Sequence, residues 1–369
     1  MKSISADFHT SVKSVEEGLF LTLAFRPVGA LVFGWLAEKY GRRPVLMLNV
    51  ISFSVAELAS AFAPSLSALL VLRAVFGFAM GGEWGVGAAL ALETLPAKGR
   101  GFFSGLLQEG YAIGFLLASI AFAFAFDAIG WRGMFVLGAA PALLVIYIRF
   151  GVEESPAWVA GQAAKRASIA DILRAVRAFL PTLLYLVVLM ACFNAFSHGS
   201  QDNYPLFLQS QHGFSSRTTG TIAIVMNIGA LLGGLSFGAL SERLGRKRAI
   251  MLAAALALPM ISLWAHSATP VMFAIGGFLM QFMVQGAWGI VPAHLNELSP
   301  PSVRAILPGF AYQLGNLAMS RMGPIQAGFA EAHGGDYASA LSWTIGVVAI
   351  ALIVVTALGP EARSVRLTV

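Results

Sequence analysis

Along most of the chain, apolar residues come in blocks about twenty long, separated by short charged segments. An α-helix needs roughly 20 predominantly apolar residues to cross the hydrocarbon core of a bilayer. The pattern therefore predicts eleven membrane-spanning helices, near 18–37, 45–63, 66–92, 102–126, 132–150, 179–202, 217–240, 249–265, 270–295, 305–328 and 338–358. The first seventeen residues (MKSISADFHTSVKSVEE) are polar, so the membrane pattern begins at Gly18. They lack the charged start, short apolar core and small-residue cleavage site of a signal peptide, and none is expected.

Composition agrees with the pattern. Of 369 residues, 57% are hydrophobic and 11% are charged, and the mean hydropathy is +0.76. A soluble domain carries roughly 25% charged residues. The expected fold class is an all-α polytopic membrane protein. One cysteine, Cys192, excludes a disulfide framework and a cysteine-based metal site. The six histidines are scattered, and neither a nucleotide loop nor a G-x-S-x-G turn is present, so neither an enzyme nor a resident cofactor is expected.

The charges orient the spans. If the loop after the first span is cytoplasmic, that face holds Lys39, Arg42, Arg43, Lys98, Arg100, Arg149, Lys165, Arg166, Arg174 and Arg177. It also holds Arg243, Arg246, Lys247, Arg248, Arg304, Arg363 and Arg366, against Lys2, Lys13, Arg132 and Arg217 on the other. The positive-inside rule selects this arrangement. It puts the N-terminus outside and the C-terminus in the cytoplasm of a cell inner membrane. The net charge of +6 then faces anionic lipid, and no nucleic-acid partner is needed to explain it.

The chain also repeats itself at an offset of 204. Gly34-x-x-x-Glu38-Lys39-x-Gly41-Arg42-Arg43 matches Gly238-x-x-x-Glu242-Arg243-x-Gly245-Arg246-Lys247. Gly82-x-Trp84-Gly85 matches Gly286-x-Trp288-Gly289, and Glu93-x-x-Pro96-x-x-x-Arg100 matches Glu297-x-x-Pro300-x-x-x-Arg304. Three matches at one offset imply two parallel halves. The predicted organisation is a polar extracytoplasmic lead (1–17), a first half of five helices (18–150), a central cytoplasmic loop (151–178) and a second half of six (179–369). The partner of the 179–202 helix would precede Met1. The expectation is a start assigned downstream of a missing first helix, since a bundle lacking one wall would turn polar surface to lipid.

The doubled Gly-x-x-x-acid-base-x-Gly-Arg-base loop resembles the signature loop of the major facilitator superfamily. Glu93-x-x-Pro96-x-x-x-Arg100 and Glu154-Ser155-Pro156 resemble its sugar- and organic-acid-porter branches. Asn194-Ala-Phe-Ser197-His198-Gly-Ser200-Gln201-Asp202 resembles the N-x-x-[ST]-H-x-[ST]-Q-D-x-x-x-T motif of Jen-type carboxylate:proton symporters, in the sialate/lactate group. Leu206 stands where that motif ends in Thr, a departure that bears on substrate preference. Thr22-Leu-Ala-Phe-Arg26-Pro, Gln108-Glu-Gly110-Tyr111, Pro292-Ala-His294-Leu-Asn296-Glu297 and Pro308-Gly-Phe-Ala-Tyr312-Gln313 add local similarity. The resemblance implies a monomeric secondary transporter that moves a lactate- or pyruvate-like monocarboxylate with a proton by alternating access.

Ionisable groups inside a span are costly and are functional candidates. Asn194, His198 and Asp202 are spaced i, i+4, i+8, with Ser197 and Gln201 at i+3 and i+7, so they share one helical face. An imidazole and a carboxylate one turn apart have the chemistry to take up and release a proton. The competing reading is a hydrogen-bonding stripe between packed helices. Arg26 and Arg321 present forks that fit a carboxylate, and the resemblance implies substrate handling at Arg26. Each could instead neutralise a buried acid such as Glu57, Glu83 or Glu109; Arg73 is expected to be structural. Gln313 is a candidate hydrogen-bond partner for substrate, and Glu83 a candidate proton site. Glu38, Arg42, Arg43, Glu93, Arg100, Glu242, Arg246, Glu297 and Arg304 are read as a conformational latch, with charges that only set topology as the alternative. Porters of another organic anion (sialic acid, aromatic acid, dicarboxylate) share most of these motifs. A non-transporting receptor or truncated remnant is the remaining alternative.

Overall fold

The computed structural model describes residues 2–10, 12–95, 98–161, 174 and 177–361. Pro96, Lys165, Arg166, Arg363, Arg366 and half of the 151–178 segment lie outside the described residues. In chain order the helices are α1 (Lys2–Asp7), α2 (Val12–Tyr40), α3 (Arg42–Ala61), α4 (Leu66–Gly81), α5 (Glu83–Glu93), α6 (Arg100–Gly138), α7 (Leu144–Gly151) and α8 (Pro156–Gly161). They continue as α9 (Leu180–Gln201), α10 (Tyr204–Ser210), α11 (Ser216–Leu244), α12 (Arg246–Ala265), α13 (Pro270–Leu298), α14 (Leu307–Met319), α15 (Met322–Ala332) and α16 (Tyr337–Leu358). No strand occurs among the described residues.

Among the described residues nine helical stretches are long and apolar enough to cross a membrane. They correspond to nine of the eleven predicted spans. The other two predicted spans are also helical. Residues 102–126 lie in α6, whose upper turns include Gln108, Glu109 and Tyr111. Residues 305–328 are divided between α14 and α15 by a break at Ser320–Arg321. Large apolar side chains cover the outside, including Val55, Val71, Phe150, Trp343 and Leu358. A water-soluble bundle would hide them, whereas a lipid-facing one exposes them at no cost.

The 204-residue repeat holds in three dimensions. A Cβ on Gly29 of α2 would strike the Phe78 backbone of α4, and one on Gly233 of α11 would strike the Phe282 backbone of α13. Gly82 meets Phe33 just as Gly286 meets Phe237. Small residues let helices approach until their backbones touch, and each half uses them at equivalent places. Gly41 and Gly245 adopt nearly the same conformation, φ 108°, ψ 154° and φ 94°, ψ 157°, which an L side chain resists. Each turns the chain sharply between two spanning helices at one end of the bundle.

Across the halves, α6 packs against α11 and α13, and α14 packs against α2 and α5. The second half has one continuous buried core, from Leu183 on α9 to Leu352 on α16. Buried apolar residues of the first half form three smaller clusters, one of which takes in Ala305 of the second half.

Candidate functional site

At the end of the bundle marked by Gly41 and Gly245, the charges form a buried network. Arg42 reaches Glu38 at 2.9 Å and Glu93 at 3.3 Å. In the second half, Arg246 grips Glu297 through Nε and Nη2, both at 2.9 Å. Two further pairs cross between halves: Arg100 at the start of α6 to Glu297 at 3.4 Å, and Arg304 to Glu93 at 3.8 Å. These two pairs are images of each other under the repeat.

The remaining acids of the doubled loop also cross over. Glu242 accepts from the Gly101 backbone N–H at 2.8 Å, and Glu38 accepts from the Ala305 N–H at 3.0 Å. A carboxylate there meets free N–H groups and, for α6, the positive end of the helix dipole. The arginine forks and Glu297 are nearly inaccessible, so their mutual attraction is little screened. Arg43 is placed elsewhere: its guanidinium donates to the Ile148 and Arg149 carbonyls, at the end of α7. Glu154 accepts from the Arg42 and Arg43 backbone N–H groups, as Glu361 does from Arg246 and Lys247.

The polar residues of α9 stand toward the other end. His198 Nδ1 and Asp202 Oδ2 are 3.0 Å apart, with side chains 33% and 44% exposed. Asn316 of α14 is a further hydrogen-bond neighbour of His198. Ser197 and Gln201 look toward α13: the Ser197 hydroxyl accepts from Gln201 at 3.1 Å and from Gln285 at 3.2 Å. Asn194 is buried and donates to its own helix at the Met190 carbonyl, 2.8 Å away. The stripe drawn from helical spacing is thus shared between two neighbouring helices.

Arg26 is half-buried on α2, directly before Pro27. Gly81 packs on the Arg26 backbone, which brings the start of α5 close. The Arg26 Nη2 points at the Met80 sulfur, 3.6 Å away, and among the described residues its buried Nε has no hydrogen-bond partner. Glu83 and Tyr312 lie within its electrostatic reach. Arg73 instead pairs with Glu57 at 2.8 Å and stacks on Phe76 and Phe135. Arg321 sits at the break between α14 and α15 and is exposed. Gln313 is buried, and among the described residues its Oε1 has no hydrogen-bond partner.

Beneath these residues the two tryptophans of the repeat flank one tyrosine. Trp84 lies 4.9 Å and Trp288 5.9 Å from Tyr312, centre to centre. Along α13 the polar Gln285 precedes Trp288, and Glu297 follows. At 1.5 Å per residue, Gln285 and Glu297 are about 18 Å apart along the axis. The same rise separates Arg26 from Glu38 on α2, so the polar region lies near mid-depth and the charged network near one face.

A cavity of ≈ 400 Å³ opens between α6 of the first half and α9, α10, α11 and α13 of the second. Its lining brings Gln201 and Asp202 together with Gln108, Glu109, Gln281 and Gln285, which sequence reasoning had not joined to the site. Gln281 and Gln285, four apart in an otherwise apolar span, were the available signal. Glu109 could only be guessed as an arginine partner. Here it is buried against Gly234 of the opposite half. Tyr111, on the same wall, lies within electrostatic reach of both Arg26 and Asp202.

The pattern of the sugar (and other) transporter family matches residues 8–177 and 181–363. The carboxylic acid transporter protein homolog of Saccharomyces cerevisiae is 32% identical over 349 residues, covering 87% of this chain and 56% of that protein. This chain therefore spans little more than half the length of that relative. The sialic acid transporter NanX of Escherichia coli is 27% identical over 320 residues, covering 85% of this chain and 77% of the relative. Among solved structures, the major facilitator superfamily proton:xylose symporter XylE superimposes with a TM-score of 0.75 at 18% identity. That match covers 98% of this chain and 91% of the other.

Proposed function

Because the chain belongs to the sugar (and other) transporter family, of the major facilitator superfamily, it is a polytopic membrane transporter, and we propose that it carries a small monocarboxylate together with a proton. One observation carries this reading: Tyr111, on the cavity wall, is within electrostatic reach of both the Arg26 guanidinium and the Asp202 carboxylate. In this reading Arg26 is the anion anchor and the His198–Asp202 pair the proton carrier.

The steps follow from charge. A carboxylate entering alone against an inside-negative potential costs about 2.3 kcal/mol per 100 mV, and a proton travelling with it cancels that cost. The His198–Asp202 pair, open at the end opposite the charged network, takes up the proton. Arg26 holds the carboxylate, with Gln313 and Glu83 as neighbours. The halves then rock about the site, and the crossing bonds Arg100–Glu297, Arg304–Glu93, Glu242–Gly101 and Glu38–Ala305 release. In this reading the network face is cytoplasmic, the N-terminus lies outside the cell inner membrane, and the chain works as a monomer of two halves (18–150 and 179–369) joined by the 151–178 loop.

The test is uptake by the purified chain in proteoliposomes. Labelled lactate and pyruvate, then larger acids, are offered with and without an inward pH gradient. Accumulation driven by the gradient, abolished by His198→Ala, is expected. Undiminished gradient-driven uptake in His198→Ala would remove the proton assignment. Failure to move any carboxylate under any gradient would remove the transport reading.

A further inference from the structure

Away from the groups used in the transport cycle, one histidine is set among phenylalanines. His212 lies in the loop between α10 and α11, at the end of the bundle opposite the charged network. Its ring centre is 4.6 Å from that of Phe273 on α13, 4.9 Å from Phe207 on α10 and 5.7 Å from Phe214. Phe207 and Phe273 are fully buried. The His212 Nε2 is buried too, and among the described residues it has no hydrogen-bond partner. Local structure puts the ring there. Gly213 (φ 66°) turns the chain, and the Gly213 and Phe214 N–H groups close α10 by donating to the Gln209 and Leu208 carbonyls. α10 itself lines the cavity through Tyr204, Pro205 and Leu208. The aromatic cluster ties its far end to α13. Gln211 ties it to the start of α16, donating to Asp336 at 3.3 Å and accepting from the Ala338 N–H at 3.0 Å.

A neutral imidazole suits this setting and an imidazolium does not. The charged ring carries two N–H donors, and the one at Nε2 would find no acceptor. An unmade hydrogen bond on a charged group costs more than a cation–π contact with the phenylalanines returns. Burial accordingly pushes His212 below its ordinary value of 6.5. The charges on the surrounding elements are engaged elsewhere or face water. Asp336 of α16 holds Gln211 and Ser339, His266 at the end of α12 bonds Ser342, His198 and Asp202 of α9 pair with each other, and Arg217 of α11 is exposed. We infer that His212 is the pH-sensitive pin of a clasp that holds α10 against α13 beside the cavity, and that acid on this side of the membrane releases it. The clasp is at full strength above pH 6.5 and weakens as the pH falls below it, because the released ring accepts a proton that the seated ring refuses. In the orientation proposed above this end faces the exterior, so the acid that drives uptake would also loosen the mouth of the cavity; that consequence, unlike the clasp itself, rests on the transport reading.

Spin labels on exposed positions of the two elements test the clasp. Gln209→Cys and Val271→Cys, in a full-length chain carrying Cys192→Ser and held in nanodiscs, report the α10–α13 separation by pulsed dipolar spectroscopy at pH 7.5 and pH 5. Acid is expected to raise the ratio of released to seated α10 at least about threefold, below the ceiling of about tenfold per pH unit that one proton sets. His212→Phe, which keeps an aromatic ring but cannot titrate, should abolish the rise. His212→Arg, permanently charged, should show the released separation already at pH 7.5; should it misfold, the parent and His212→Phe decide. An equal rise in His212→Phe, no rise in the parent, or closer approach in acid overturns the inference. No substrate enters this measurement, so a failure of the transport reading leaves its outcome unaffected. In proteoliposomes, His212→Phe should retain the gradient-driven accumulation that His198→Ala loses. Loss of accumulation in His212→Phe would make His212 a proton carrier and overturn its role as a pin.

Discussion

The two ends of the bundle are built on opposite rules. At the signature-loop end every part occurs twice: Arg42 and Arg246, Glu93 and Glu297, Arg100 and Arg304, Glu38 and Glu242. Their bonds are related by the same 204-residue offset that relates the helices. At the cavity the correspondence fails. Gln281 and Gln285 stand where the first half has Gly77 and Gly81, and Glu109 corresponds to Gln313. Gly77 and Gly81 let α4 touch the α2 backbone at Thr22 and Arg26, whereas Gln281 and Gln285 reach across to serines of α9. Symmetry suits a closure that must lie between two equivalent halves. A ligand without symmetry needs a site in which the halves differ.

The comparison is most exposed at Glu297. Its carboxylate is shared by Arg100 and Arg246, and all three side chains are almost wholly buried. Glu297→Gln removes the carboxylate that two buried guanidiniums share, which should destabilise the chain by about 3–5 kcal/mol in detergent unfolding experiments. Glu93→Gln should cost less, because Arg42 keeps Glu38. Equal losses would mean the network does not work as bonds shared in this way.

At the other end, Arg26 has little to lose structurally, since its described hydrogen bond goes to a sulfur. Arg26→Ala should weaken carboxylate binding about 10–100-fold, the ~1.5–3 kcal/mol of a charge-assisted hydrogen bond, with little change in unfolding temperature. A large fall in stability with intact binding would reverse the roles given to the two ends.

The helix contacts common to both halves offer a control of intermediate size. Gly29→Ala and Gly233→Ala each put a methyl group against an opposing backbone and should each cost about 1–3 kcal/mol. A difference between them would show that the halves are not equally rigid.

The smallest effect belongs to Asp336, which caps α16 at Ser339 in a loop outside the spans. The Ser339 hydroxyl and backbone N–H hold its carboxyl below the ordinary value of 3.8. The cap's contribution is therefore complete above that value and lost as the pH falls through the lower, folded one. Asp336→Ala should cost about 1 kcal/mol, and the difference from the parent should vanish in strong acid, as unfolding at pH 7 and pH 2.5 would reveal.

Much of the fold was legible in the chain because lipid imposes a one-dimensional rule: an apolar run of a given length becomes a helix. The doubled loop was legible for a related reason, since its charges recur at one offset. Partners across the bundle were not. Helical spacing put Asn194, Ser197, His198 and Gln201 on one face, yet could not tell that Asn194 would bond its own helix. Arg43 looked equivalent to Arg42 by motif, yet its side chain turns to α7. Arg321 looked embedded by position, but a helix break brings it to an exposed junction.

Sequence alone, then, determined the helical membrane class, the two related halves and the inventory of charges, because hydropathy and repetition are properties of neighbours along a chain. Only the tertiary structure decided which Glu meets which Arg across the halves. It alone brought Glu109, Gln281 and Gln285 to one cavity, and left the buried Nε of Arg26 without a hydrogen-bond partner among the described residues. Those outcomes depend on how closely helices pack and which way each is turned, and glycine contacts between distant segments set both.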